Sequence, residues 1–143
     1  MNILVLQGPN LNLIGVRSAQ AGQRLTLDKI NRALHSQALQ HGITLKTLQT
    51  QRVDKALAFL HRNRNAAQGI LLAPMAWARY EFSLLEALDI IRIPCVQVLF
   101  AEEFDFGPTD GFSIFSNYCI DTVCGPPDTA FLAGLDVLLG RQS

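Results

Sequence analysis

Asn2-Ile3-Leu4-Val5-Leu6-Gln7, followed at once by Gly8-Pro9-Asn10-Leu11-Asn12-Leu13-Ile14-Gly15, is the stretch that decides the fold of this chain. The run Ile3 to Leu6 carries no polar interruption, so residues 2–7 read as a strand buried on both faces. Gly8 and Pro9 end it. Asn10 and Asn12 place two short amides just past its end. In an open α/β sheet, ligands bind beyond the carboxyl ends of the strands. Paired amides at that spot read either as the floor of a small-molecule site or as turn residues that satisfy the loop's own hydrogen bonds.

Outward from this stretch, strand and helix patterns alternate to the end of the chain. Thr26 can cap a helix that carries Leu27, Ile30, Leu34 and Ala38 on one face, and His41-Gly42 ends it. Residues 43–49 alternate apolar and polar, as a half-buried or edge strand does. Val53, Ala56, Leu57 and Leu60 mark a second helix. Gly69 to Leu72 forms a short buried strand stopped by Pro74. Phe82, Leu85 and Leu88 mark a third helix, with Glu86 and Asp89 on its polar side. Pro94 precedes a strand from Cys95 to Leu99, residues 100–118 read as irregular, and residues 119–124 as a last strand. Phe131, Gly134, Leu135 and Leu138 face inward from a final helix. Five strands alternating with helices imply a parallel sheet covered on both faces. With right-handed crossovers this predicts an α/β, flavodoxin-like three-layer sandwich with strand order 2-1-3-4-5, in one domain spanning residues 1–143.

Composition narrows the function classes. Twelve basic and twelve acidic side chains cancel, so charge argues against a nucleic-acid partner. Arg62 and Arg64 read as a solvated helix end. No apolar run reaches the roughly 18 residues of a membrane span, and the start of the chain lacks a secretory pattern, so the expected location is cytoplasmic. Cys95, Cys119 and Cys124 fit no metal-ligand spacing, and no metal or other cofactor is expected. Cys95 and Cys124 fall in apolar strand-like runs and read as reduced core thiols. His35, His41 and His61 read as surface residues. Six of the eleven aromatics, Phe100, Phe104, Phe106, Phe112, Phe115 and Tyr118, crowd into residues 100–118. That segment is expected to pack on the domain or on a neighbouring copy.

Gly8-Pro9-Asn10-Leu11-Asn12-Leu13 after a first strand, with Gly15 and Arg17 following, resembles the type II 3-dehydroquinate dehydratases. The resemblance runs through Ala73-Pro74 with Ala76, through Glu86-Ala87-Leu88, through Ile93-Pro94-Cys95-Val96-Gln97-Val98, and on to Ser113, Ser116 and Gly125. It implies removal of water from 3-dehydroquinate without a cofactor, and assembly as trimers or as a dodecamer of four trimers. It implies a tyrosinate base activated by a loop arginine, here Arg17, since an ordinary tyrosine with pKa about 10 needs a nearby cation. Asn12 matches the asparagine that holds a water against the developing enolate. A histidine past the fourth strand acts as general acid.

Much of that machinery is replaced. The tyrosine position is Ala21 and the histidine position is Leu99. The strand-four glutamate is Gln97, the asparagine before the third-strand proline is Ala73, the histidine on the following helix is Arg79, and the serine past strand four is Ala101. The retained catalytic positions are Asn12 and Arg17. Asn10, Trp77, Arg79 and Gln97 are expected to contact a bound small molecule. Asn10, Asn12 and Arg17 are expected to line one crevice past strands one and three. Three readings stay open: an inactive family member that binds a ligand or regulates a partner, an active dehydratase using Tyr80 or Tyr118 as base, and a structural homo-oligomer.

Overall fold

A computed structural model describes residues 1–101, 104 and 112–142, with residues 141 and 142 described by their backbone alone. Five strands, β1 (Asn2–Gln7), β2 (Thr44–Gln49), β3 (Gly69–Ala73), β4 (Cys95–Phe100) and β5 (Asp121–Gly125), form one sheet in the order β2-β1-β3-β4-β5. Each of its four neighbouring pairs is parallel. The order reverses between β1 and β3, where Gln7 pairs with Gln49 on one side and Ala73 on the other.

The period of two along β1 divides the core. Ile3 and Val5 point to one face, with α2 (Leu27–Gln40) and α5 (Pro127–Gln142) packed over them through Ile30, Leu34, Phe131 and Leu135. Leu4 and Leu6 point to the other, under α3 (Val53–Asn63) and α4 (Phe82–Ile91) through Ala56, Leu60, Leu84 and Leu88. Full burial of a leucine or isoleucine contributes about 1.5–3 kcal/mol. Two dry faces therefore hold β1 rigidly at the centre. As expected for an edge strand, no residue of β2 is fully buried. The Thr26 hydroxyl accepts from the Lys29 amide at 3.2 Å and caps α2.

Four features differ from the sequence reading. A further helix, α1 (Ile14–Gln20), follows the asparagine loop. Its end is a Schellman turn: Gly22 at φ +74° donates to the Ala19 carbonyl, and the Gln23 amide reaches back to the Ser18 carbonyl at 2.8 Å. The last strand starts at Asp121 rather than residue 119, because Tyr118 and Cys119 turn back onto the Phe115 carbonyl. In α4 the buried face is Leu84, Ala87 and Leu88, whereas Phe82 is 63% exposed, so the stripe expected through Phe82 and Leu85 is rotated. Cys124 is exposed because β5 is the other edge of the sheet, while Cys95 is buried; the Cys119 thiol beside it and the loss of water push the Cys95 thiol up.

Of the described aromatics in residues 100–118, Phe100, Phe104 and Phe115 are buried within the domain, whereas Phe112 is 59% exposed. Phe104 and Phe115 are fully buried, one on each face of the sheet, and the Phe100 ring stacks tilted on Phe131 at 5.7 Å. Phe106 lies outside the described residues. No described helix is long and apolar enough to cross a membrane.

Candidate functional site

Beyond the ends of β1 and β3, the chain is pinned by Gly8. Its amide donates to the Ala73 carbonyl at 2.8 Å, and a Cβ on Gly8 would meet the Pro74 carbonyl oxygen at 2.4 Å. Only glycine allows this approach. The loop then turns through Asn10, which adopts the left-handed conformation (φ 68°, ψ 0°) that asparagine tolerates. Two glutamines from the end of β2 clamp it. The Gln49 side-chain amide donates to the Gly8 carbonyl at 3.0 Å and to Gln51 Oε1 at 3.1 Å. Gln51 Oε1 also accepts from the Asn10 backbone amide at 2.8 Å, and Gln51 Nε2 donates to Asn12 Oδ1 at 3.2 Å.

This clamp decides where the expected site residues go. Asn10 and Arg17 line a cleft of about 280 Å³ together with Leu13, Ile14, Val16, Gln20 and Met75. Asn12 is not part of that lining; Gln51 holds its side chain toward the β2 side. The expected crevice thus forms at the switch between β1 and β3 with Asn10 and Arg17, and without Asn12. Among the described residues, the Arg17 guanidinium and the Asn10 and Gln20 side-chain amides have no hydrogen-bond or ion-pair partner. Arg17 is half-buried in the last turn of α1. The turn after that helix is fastened by buried Ser18, whose hydroxyl accepts from the Leu25 amide at 2.8 Å. Ala21 caps α1 from an exposed position outside the cleft.

Across the switch point, Met75 is a non-glycine residue at φ 54°, a left-handed conformation that costs roughly 1–2 kcal/mol. It borders the cleft on one side. On the other it borders a space of about 10 Å³ that also touches Ala78, Arg79, Val98, Leu99, Phe100 and Phe112. That is room for about one water. Leu99 therefore borders a small gap, and Arg79 is engaged, donating to the Phe112 carbonyl.

The remaining expected contacts lie inside the fold. Trp77 is 2% exposed and packs among Leu84, Leu88 and Phe115. Gln97 is fully buried. Its amide nitrogen donates to the Ser116 and Thr122 hydroxyls at 3.1 and 3.0 Å, and its oxygen accepts from the Ser113 hydroxyl. It ties the segment around Ser113 and Ser116 to the sheet. Neither tyrosine lines the cleft. Tyr80 is exposed after a short 3-10 turn. The Tyr118 hydroxyl donates to the Leu88 carbonyl on the α4 side, and burial, reinforced by Cys95, Asp89 and Cys119, pushes its phenol up against the opposing effect of Arg92. A general base needs the reverse.

Sequence reading missed Gln49, Gln51 and Met75. The glutamines were legible once β2 pairs parallel with β1, because that pairing puts its carboxyl end beside the asparagine loop. Met75 carries no local signal for its left-handed backbone. No described group of three or more histidines, cysteines or carboxylates could hold a metal ion.

Comparison with known proteins gives a consistent answer. The family model for class II dehydroquinase matches residues 1–139. The 3-dehydroquinate dehydratase of Roseiflexus castenholzii is 31% identical over 142 residues, covering 99% of this chain and 90% of that protein. That of Chromobacterium violaceum is 35% identical over 125 residues, covering 87% and 80%. Among solved structures, the type II dehydroquinase of Butyrivibrio crossotus superposes with a TM-score of 0.87 at 20% identity, covering 97% of each chain. A 3-dehydroquinate dehydratase-like protein from Bifidobacterium longum gives 0.72 at 18% identity, covering 100% of this chain and 98% of that one. The sequence match from end to end, on a sheet of the same order, makes this chain a member of the class II dehydroquinase family.

Proposed function

We propose that this family member does not dehydrate 3-dehydroquinate and instead binds a small ligand, alone or as an inactive partner that regulates another protein. One observation carries the reading: the positions matching the family's base and acid are Ala21 and Leu99, and neither side chain can hold a transferable proton. The placement of Arg17 and Asn10 on an open cleft supports ligand binding. The exposure of Tyr80 and the raised phenol of Tyr118 count against a rearranged base. The test is an assay with dehydroquinate at high protein concentration, following the ultraviolet absorbance of the conjugated product. The expected rate is below about one ten-thousandth of an ordinary family member, since losing a base or an acid costs about 10²–10⁴-fold each. A rate within a hundredfold of such an enzyme overturns the proposal.

The same reading makes the protein a cytoplasmic homo-oligomer, a trimer or a dodecamer. Its three free cysteines suit a reducing compartment. Self-association is supported by α4, where Phe82 and Ile90 are 63% and 70% exposed and an open groove of about 560 Å³ is lined by Phe82, Leu85, Ile114 and Tyr118 together with Glu86, Asp89 and Asn117. Light scattering is expected to give the mass of three or more chains, and a single species of 15.8 kDa would refute it.

A further inference from the structure

We propose that the cleft beside α1 selects a compact monoanion with an apolar body, such as an aromatic or branched aliphatic carboxylate, over a polyhydroxylated acid. This rests on the reading of the protein as a ligand binder and names the ligand's chemistry. Three observations converge. The cleft holds one cation, Arg17, and no other charged residue among its described lining. That guanidinium has no partner among the described residues, so its fork is open to a carboxylate in the bidentate geometry that arginine favours. The rest of the wall is mainly apolar: Leu13, Ile14, Val16 and Met75 surround the cation, with Leu13 51% and Val16 58% exposed to water.

Exposed apolar side chains around a cation with no partner among the described residues complement a ligand with the same division. The carboxylate meets Arg17, the Asn10 and Gln20 amides can donate to its remaining lone pairs, and the ligand body covers Leu13 and Val16. A ring bearing several hydroxyls would lose water from each of them against four apolar side chains, with two amides to compensate. A dianion would leave its second charge without a counterion. The gap on the far side of Met75 gives no further room, since it holds about 10 Å³.

The test is calorimetric titration of the full chain with three probes: benzoate, quinate as a polyhydroxylated carboxylate, and benzyl alcohol as an uncharged arene. Benzoate is expected to bind at about millimolar affinity or tighter, consistent with a ligand of its size. Quinate and benzyl alcohol are each expected to bind at least about tenfold more weakly. Arg17→Gln is expected to weaken benzoate about tenfold or more, and Arg17→Lys less, since a point charge keeps part of the attraction. Val16→Ser is expected to weaken benzoate and leave quinate unchanged. The Arg17 side chain bonds to nothing among the described residues, so both of its variants are expected to melt with the unaltered protein. Quinate binding as tightly as benzoate overturns the proposal. So does benzoate binding that Arg17→Gln leaves intact, or no benzoate binding at about 20 mM. Turnover of dehydroquinate would sink the wider reading of an inactive protein, and none of these titrations measures it.

Discussion

Placing tyrosine and histidine at the positions matched to the family's base and acid, Ala21→Tyr together with Leu99→His, is expected to leave the protein without dehydratase activity. The double variant should stay below about one thousandth of an ordinary family member's rate. A lost acid and base together correspond to a deficit of at least about 10⁴-fold, or about 5.5 kcal/mol of transition-state stabilisation at 1.36 kcal/mol per tenfold. Returning the functional groups recovers that only if they meet across one substrate. Position 21 is an exposed helix cap outside the cleft, tied down through the Schellman turn at Gly22 and the Ser18 hydroxyl. Position 99 borders a gap of about 10 Å³ on the opposite side of Met75. A tyrosine and a histidine at these places would not share a cavity among the described residues. Asn12, the further position that the resemblance marks as catalytic, bonds to Gln51 and is not part of the cleft lining. A rise of a hundredfold or more in the double variant, measured against the unaltered chain, would show that the site is intact but for two side chains.

Much of this architecture is legible in the sequence because it depends on burial periodicity and on short-range turn chemistry. Ile3 to Leu6, Thr26 and Gly42 mark a strand, a cap and a helix end by residue type alone. The family follows from the loop at residues 8–13. The site is less legible because its geometry depends on long-range partners. Asn12 looks like a ligand group until Gln51, brought alongside by the parallel pairing of β2, takes its side chain. Gln97 looks like a crevice residue at the end of a strand, yet three hydroxyls from Ser113, Ser116 and Thr122 close around it. α1 was obscured because its sequence, Ile14 to Gln20, buries only Ile14 and Ser18 and so shows little helical stripe. Its clearest signal is the glycine at position 22, just past its end.

Gly8→Ala is expected to be the most damaging conservative change at the site, costing about 2–4 kcal/mol of stability. An added Cβ would sit 2.4 Å from the Pro74 carbonyl oxygen, 2.9 Å from the Pro74 carbonyl carbon and 3.1 Å from the Ala73 oxygen. All three are backbone atoms, so no side chain can rotate aside. Relief requires the ends of β1 and β3 to separate, and that stretches the 2.8 Å bond from the Gly8 amide to the Ala73 carbonyl. Overpacking costs about 1–3 kcal/mol and a buried amide left unpaired costs a similar amount. Reduced freedom of the unfolded chain returns only about 0.4–1 kcal/mol. For a chain of this length the melting midpoint should fall by about 5 °C or more. Gly15→Ala is the control. Its Cβ would meet Thr26 Cγ2 at 3.6 Å and the Leu25 oxygen at 3.7 Å, ordinary contacts, and Gly15 itself lies in α1, where alanine gains about 1 kcal/mol over glycine. That variant should melt at or above the unaltered protein. If Gly8→Ala melted with it, the close approach of β1 to Pro74 would not be what fixes the asparagine loop at the edge of the cleft.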